Sequence, residues 1–332
     1  MWFSNDLGID LGTASVLVFV QGRGVVLHEP SVVAIDKNSG KRIAVGEEAR
    51  LMLGRTPGNI LAIRPMRDGV IADYQTTEVM LKYLLKKVGI KIMPFIKNRV
   101  VVCIPSGVTE VEERAVKQAA HNAGAGQVRV IEEPFAAALG AGLDIYGPEG
   151  NMVVDIGGGT TDVAVLSLGG IVCKSSLRVG GDRMDESIAK FVRREYNLMI
   201  GERTAEEIKM RVGCAVPEGK PGNEEIDIRG RDLVTGLPKT IKINSTACYK
   251  ALEEVVADII SAIRDVLERT PPELAADIMN KGIVLTGGGA LLYAIDERIS
   301  RETGLVVTIA DDPISCVVLG TGKALKYSFK KV

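Results

Sequence analysis

Two segments of this chain carry the same design. Leu7–Val20 reads LGIDLGTASVLVFV and Val153–Leu166 reads VVDIGGGTTDVAVL. Each is an apolar strand ending in Asp, then a Gly/Thr turn, then a second strand rich in Val and Leu. The turns contain Asp10, Gly12, Thr13, Ala14 and Ser15 in the first copy. The second has Asp155, Gly157, Gly158, Gly159, Thr160 and Thr161. A hairpin whose turn lacks bulky Cβ groups lets backbone N–H groups crowd around an anion. Two such hairpins facing each other can clamp a polyphosphate. One Asp per turn can hold the waters of Mg²⁺, which keeps much of its hydration shell. A single Gly-rich turn is an ordinary turn; recurrence in the same strand–turn–strand setting is what makes the pair informative.

A third glycine cluster, Gly287-Gly288-Gly289-Ala290, follows the apolar run Ile283–Leu285 and opens a helical pattern. It suits close approach to a nucleotide near a helix N-terminus. Neither G-x-x-x-x-G-K-[ST] nor G-x-G-x-x-G occurs, so the Walker and Rossmann sites are unsupported.

The remaining pattern is α/β. Val25–Ile35 and Arg42–Gly46 read as strands, Thr76–Val88 as a one-sided helix and Arg99–Ile104 as a buried strand. Thr109-x-x-Glu112 and Thr204-x-x-Glu207 read as capping boxes, and Pro134 as the first residue of a helix Phe135–Leu143. Ile171–Arg178 reads as a strand, Met184–Tyr196 as a helix, Glu224–Asn244 as a hairpin and Ser245–Arg269 as a long amphipathic helix. Each half is thus a β-β-α-β-α-like core with an insertion. The small residues of Ala136–Gly142, with Gly320-Thr321-Gly322, suit a hinge between the halves.

At 332 residues two domains are expected. Net charge is −1, which gives no reason to expect nucleic acid. Five cysteines without a C-x-x-C pair fit reduced thiols in a cytoplasm, and two isolated histidines argue against zinc. No apolar run reaches the roughly 20 residues of a membrane span, and no signal peptide is read at the start.

In this order the parts resemble the actin, sugar-kinase and DnaK-type ATPase superfamily: Asp10–Ser15, Glu132–Gly142, Asp155–Asp162, Thr286–Leu292 and Asp312–Ala324. Within it the chain resembles the MreB family of bacterial actins, with its Mbl and MreBH branches. That likeness rests on EPSVV at 29–33, AIRPMRDGVIADY at 62–74, IEEP at 131–134, IGERTAE at 200–206 and TPPEL at 270–274.

The resemblance implies an actin-like fold of two duplicated domains, each with an inserted subdomain, around a cleft for ATP or ADP with Mg²⁺. The expected subdomains are IA (1–34, 68–148 and 316–332), IB (35–67), IIA (149–180 and 246–315) and IIB (181–245). Backbone at Gly12–Ser15 and Gly157–Thr160 would hold phosphates. Asp10 and Asp155 would orient water on Mg²⁺, with Asp155 and Thr160 close to the chemistry. Glu133 would hold the attacking water. Glu206, Glu207 and Lys209 would lie near ribose and base, as would Gly287, Gly288, Gly289 and Ala290. No Lys lies in the first phosphate hairpin, so Mg²⁺ and backbone amides must offset the phosphate charge, unless a Lys or Arg from elsewhere does.

The implied function is a cytoskeletal ATPase that polymerises on ATP binding, hydrolyses slowly, and organises wall elongation to maintain rod shape. The implied partners are further copies of the chain in antiparallel double protofilaments, the inner face of the cell membrane, and wall-elongation proteins of the MreC, MreD and RodZ type. Trp2, Phe3, Ile92, Met93, Phe95 and Ile96 are the expected membrane contacts, in a basic setting that suits shallow insertion. The start is expected to be too short for an amphipathic helix. The rival is a kinase or chaperone ATPase of the same fold. The kinase would need an acceptor pocket and base, and the chaperone a further C-terminal domain.

Overall fold

A computed structural model describes residues 6–89 and 98–329. It is built on two five-stranded sheets of the same plan. In the first, Gly24–Pro30, Ser15–Val20 and Leu7–Leu11 form an antiparallel meander, and Arg99–Ile104 and Gln127–Glu132 extend it in parallel. In the second, Gly170–Leu177, Thr161–Ser167 and Asn151–Ile156 form the meander, and Ile283–Thr286 and Val307–Ile309 extend it. The duplication seen in the two hairpins therefore runs through both sheets.

Each half carries a smaller sheet. Val33–Asp36, Arg42–Val45 and Ile60–Ile63 belong to the first; Leu198–Met199, Glu225–Asp232 and Pro238–Asn244 belong to the second. The 25-residue helix Ser245–Arg269 has the bounds its apolar period predicts. Asn244 caps it, accepting the Ala247 N–H at 2.9 Å. Its Leu252, Val256, Ile259 and Ile263 enter the core of the second half.

A separate core joins the halves. Val101 and Cys103 of the first large sheet, Val153 and Ala164 of the second, and Ala136–Ala138, Val317 and Ala324 of two helices between them form one buried cluster. Those helices, Glu133–Gly140 and Cys316–Ser328, touch backbone to backbone. A Cβ built on Gly140 would overlap the carbonyl of Cys316, and one on Gly320 that of Ala136. The two small-residue segments thus pack directly against each other.

Four local expectations are corrected. Val25–Ile35 is not one strand: it breaks at Ser31-Val32 and its parts enter different sheets. Pro30 offers no N–H to continue the ladder, and the Val32 N–H folds back to the Pro30 carbonyl at 2.8 Å. The Thr204 capping box does not form, because the helix begins earlier, at Glu202, behind Gly201. The box at Thr109 does form, with both reciprocal bonds, a device worth about 1 kcal/mol. The helix around Pro134 starts one residue earlier, at Glu133, and stops at Gly140. The Gly287 cluster opens only a 3₁₀ turn, Gly288–Leu291, ahead of the helix Ile295–Thr303.

Candidate functional site

The two hairpin turns close alike and then meet. The Gly12 N–H donates to the Ser15 carbonyl at 3.1 Å, and the Gly157 N–H to the Thr160 carbonyl at 2.8 Å. A Cβ on Gly158 would lie 2.6 Å from the Ala14 Cβ, and one on Gly159 would run into Thr13 Oγ1. Glycine is therefore required in the second turn for the two loops to approach.

Neighbouring backbone fixes both turns. The Ser31 hydroxyl donates to the Gly12 carbonyl at 2.7 Å and the Ser31 N–H to the Ala14 carbonyl at 2.9 Å. Thr13 Oγ1 accepts the Gly69 N–H at 2.9 Å. The second turn is gripped by the start of helix Gly181–Tyr196, whose N–H groups have no partner within the helix. Gly181 donates to the Gly157 carbonyl at 2.9 Å and Asp182 to the Gly158 carbonyl at 2.8 Å.

Acidic side chains gather behind the turns. Asp10 and Asp155 occupy matching positions near the ends of the first strand of each large sheet. Burial, then the charge of Asp155, pushes Asp10 up to about 7. Burial also raises Asp155 to about 7, against the pull of the Thr286 hydroxyl, which donates to its Oδ1 at 2.6 Å. Glu133, the first helical residue after Gln127–Glu132, is buried. Desolvation holds its carboxyl well above the usual range, and the charges of Asp162, Asp10 and Asp155 act in the same direction. Buried carboxylates of one sign are costly unless protonated or neutralised by a cation. Among the described residues no group of three or more His, Cys, Asp or Glu is placed to hold a metal ion directly.

The third glycine cluster adjoins the same place. Gly287 sits at φ +80°, and a Cβ there would overlap the Ile156 carbonyl; Gly289 presses on the Ile156 side chain. Around Gly288 there is open space, whereas Ala290 is buried.

The three polar residues expected near ribose and base already have protein partners. Glu206 faces Arg50 at 3.4 Å, Glu207 faces Arg211 at 3.3 Å, and Lys209 Nζ lies 2.9 Å from Asp185 Oδ1 and 3.0 Å from the Gly181 carbonyl. Lys209 is thus held at the start of helix Gly181–Tyr196 by Asp185 and the Gly181 carbonyl. Its ammonium stands against Gly181, and Gly181 bonds the second phosphate-type turn. Trp2, Phe3, Ile92, Met93, Phe95 and Ile96 lie outside the described residues.

Sequence reasoning assigned no role to Ser31, Ser106 or Asp162. Asp162 was findable: closing the DIGGGTT turn places it directly opposite Asp155 in the antiparallel register. Ser31 and Ser106 carry no local signal, since their partners are 19 and 56 residues away.

The model of the MreB/Mbl protein family matches residues 4–331. The chain is 55% identical over 323 residues to the cell shape-determining protein Mbl of Bacillus subtilis (strain 168), covering 97% of this chain and 96% of that one. It is 54% identical over 330 residues to the cell shape-determining protein MreB of Escherichia coli (strain K12), covering 98% and 94%. Among solved structures it resembles MreB5 of Spiroplasma citri bound to AMPPNP, with a TM-score of 0.92 and 41% identity over 98% of this chain and 96% of that one. A MamK double helical filament subunit, 23% identical over 97% and 99%, shares the fold at a TM-score of 0.82.

Proposed function

Since the chain belongs to the MreB/Mbl family of actin-like bacterial cell-shape proteins, we propose that it binds ATP between its halves, hydrolyses it slowly and assembles into membrane-associated filaments. The observation that carries this reading is the meeting of the two glycine turns, Ala14 against Gly158, beyond the strands that carry Asp10 and Asp155. The Spiroplasma citri relative is bound to AMPPNP in one structure and to ADP in another, which supports a nucleotide here.

Backbone at Gly12–Ser15 and Gly157–Thr160 holds the β- and γ-phosphates, with the Gly12 and Gly157 N–H groups closing the turns themselves. Glu206, Glu207 and Lys209 flank ribose and base while keeping their protein partners, and Gly288 leaves room at the other side. A cation beside Asp10 and Asp155 would relieve the cost of burying carboxylates of one sign. Asp10 and Asp155 would hold Mg²⁺ through its waters; when bound, the ion offsets charge on the transferring phosphoryl group. Glu133 begins the helix that follows strand Gln127–Glu132 and accepts a hydrogen bond from the attacking water. Phosphoryl transfer of this kind relies on positioning and charge, with little covalent work by the protein.

In the filament, copies of the chain are the partner, and wall elongation is what the filament organises. Among the described residues no helix is long and apolar enough to cross a membrane. Membrane attachment is assigned to Trp2 and Phe3 and to the segment with Ile92, Met93, Phe95 and Ile96.

Sedimentation tests assembly: pelleting with Mg²⁺-ATP and not without nucleotide is expected. A chain that stays in the supernatant at all nucleotide states, while transferring phosphate to a small acceptor, would reverse the reading. Co-sedimentation with anionic liposomes tests attachment. Equal binding by the parent and by a folded variant with Ile92, Met93, Phe95 and Ile96 changed to Ser would remove that segment from the membrane role.

A further inference from the structure

Asp162 is fully buried, yet half of its carboxylate is unused. Oδ1 accepts the Ser106 N–H at 2.8 Å. The hydroxyls of Ser176 and Thr160 lie close and pull the carboxyl down, but burial prevails and brings it to about 6. Neither hydroxyl completes a bond to Oδ2, which has no partner, and the buried Ser106 Oγ has none either. Buried polar atoms are nearly always bonded to protein or to ordered water, and an orphaned one is expensive.

The strand register places these atoms beside Glu133. Glu132 pairs with Ile104 across two parallel strands, so Glu133 and the Pro105-Ser106 pair leave the sheet side by side. Asp162 is held to that exit by the Ser106 amide. It faces Asp155 across the hairpin. Two unsatisfied buried atoms thus lie close to Glu133, whose carboxyl feels the Asp162 charge, and beside the second glycine turn.

We propose that Asp162 Oδ2 and the Ser106 hydroxyl form a second anchor for the attacking water, opposite Glu133. This rests on the ATPase reading. Glu133 accepts one O–H of the water and Asp162 Oδ2 the other, so the oxygen lone pair is turned toward the γ-phosphorus. In the reaction the water oxygen bonds to the γ-phosphorus, and the bond to the β–γ bridging oxygen breaks with its electron pair leaving on ADP. One water proton passes to Glu133 and the other stays on the new phosphate. Asp162 orients the nucleophile and undergoes no net change.

Asp162→Asn keeps an oxygen for the Ser106 N–H but puts an amide donor where Oδ2 accepts. Single-turnover hydrolysis with Mg²⁺-ATP should fall by about 10- to 100-fold, with affinity for a fluorescent ATP analogue unchanged within about twofold. Ser106→Ala keeps the backbone amide and should slow hydrolysis by about three- to tenfold. Parent-like hydrolysis in both variants, with Glu133→Ala inactive, would overturn the second anchor alone. A parent that neither binds nor hydrolyses ATP would overturn the ATPase reading beneath it. If Asp162→Asn fails to fold by circular dichroism, Ser106→Ala decides: a slowed chemical step at unchanged affinity supports the anchor, and a parent rate rejects it.

Discussion

Arg64 Nε and Glu202 Oε1 stand 2.6 Å apart, although they belong to opposite halves of the molecule. Arg64 leaves the small sheet of the first half; Glu202 begins helix Glu202–Val212 of the second. The Arg50–Glu206 pair repeats the connection at 3.4 Å. Two ion pairs therefore tie the small lobes together across the gap between the halves.

Breaking that tie should favour opening. An ion pair of this exposure is worth at most about 1 kcal/mol, or about fivefold. Arg64→Glu should therefore speed release of a fluorescent nucleotide by about two- to fivefold, and the exchange Arg64→Glu with Glu202→Arg should restore the parent rate. The parent's release rate should rise with salt, since screening acts on the same pairs. Stopped-flow displacement measures all three; a release rate indifferent to the reversal would detach the ion pairs from gating.

Glu133→Ala should keep nucleotide affinity and lose hydrolysis. Removing a group that accepts a proton in the transition state commonly costs on the order of 10²–10⁴ in rate. Quench-flow with labelled ATP reads the chemical step directly, and unchanged turnover would take Glu133 out of the mechanism.

Asp155 should govern both metal-nucleotide affinity and the pH profile of stability. Asp155→Ala should weaken Mg²⁺-ATP binding by about tenfold or more in calorimetry, because one of two carboxylates for the metal's waters is gone. Burial pushes both Asp10 and Asp155 up to about 7 from an ordinary 3.8. The folded state then holds more protons than the unfolded chain between those values. Their contribution to stability is favourable below about pH 4 and is lost as pH rises toward and through about 7. Thermal melts of the parent and of Asp155→Asn at about pH 5 and pH 8 test the sign: the parent should lose more stability than the variant on the alkaline side.

Gly158→Ala should force the glycine turns apart. The added methyl carbon would stand 2.6 Å from the Ala14 Cβ and 3.0 Å from its amide nitrogen. Overpacking of this kind costs about 1–3 kcal/mol, so nucleotide affinity should fall by roughly one order of magnitude while the large sheets stay intact. Calorimetry paired with circular dichroism separates the two effects; parent-like affinity would mean that the turns do not clamp together.

The parts of this fold visible in the sequence were those written in short-range signals. The two hairpins declare themselves through Asp–Gly–Thr spacing, and helix Ser245–Arg269 through twenty-five residues of apolar period stopped before Pro271. What stayed hidden depends on long-range closure. Thr204-x-x-Glu207 satisfies the capping pattern, but the chain is already helical from Glu202, where Glu202 meets Arg64. Lys209 was assigned to ribose and base with no view of its tie to Asp185 and Gly181, because residues 24 and 28 positions away on a neighbouring helix create that setting. Asp162 lies inside a recognised motif, yet its unpaired oxygen is a property of three loops together and of none alone.

The contact of Gly140 with Cys316 and of Gly320 with Ala136 leaves no layer of side chains between the two central helices. Such a crossing has no soft filling that could absorb torque. The second of these helices also lies on the strand that ends near Asp10: a Cβ on Gly8 would overlap Thr321 Oγ1, and that hydroxyl is locked to the Val318 carbonyl at 2.6 Å. Axle and acidic strand are thus a single mechanical part. A helix that lies at the crossing between the halves therefore also touches the backbone two residues from Asp10, so the same few atoms bear on the seam of the molecule and on the strand that carries one carboxylate.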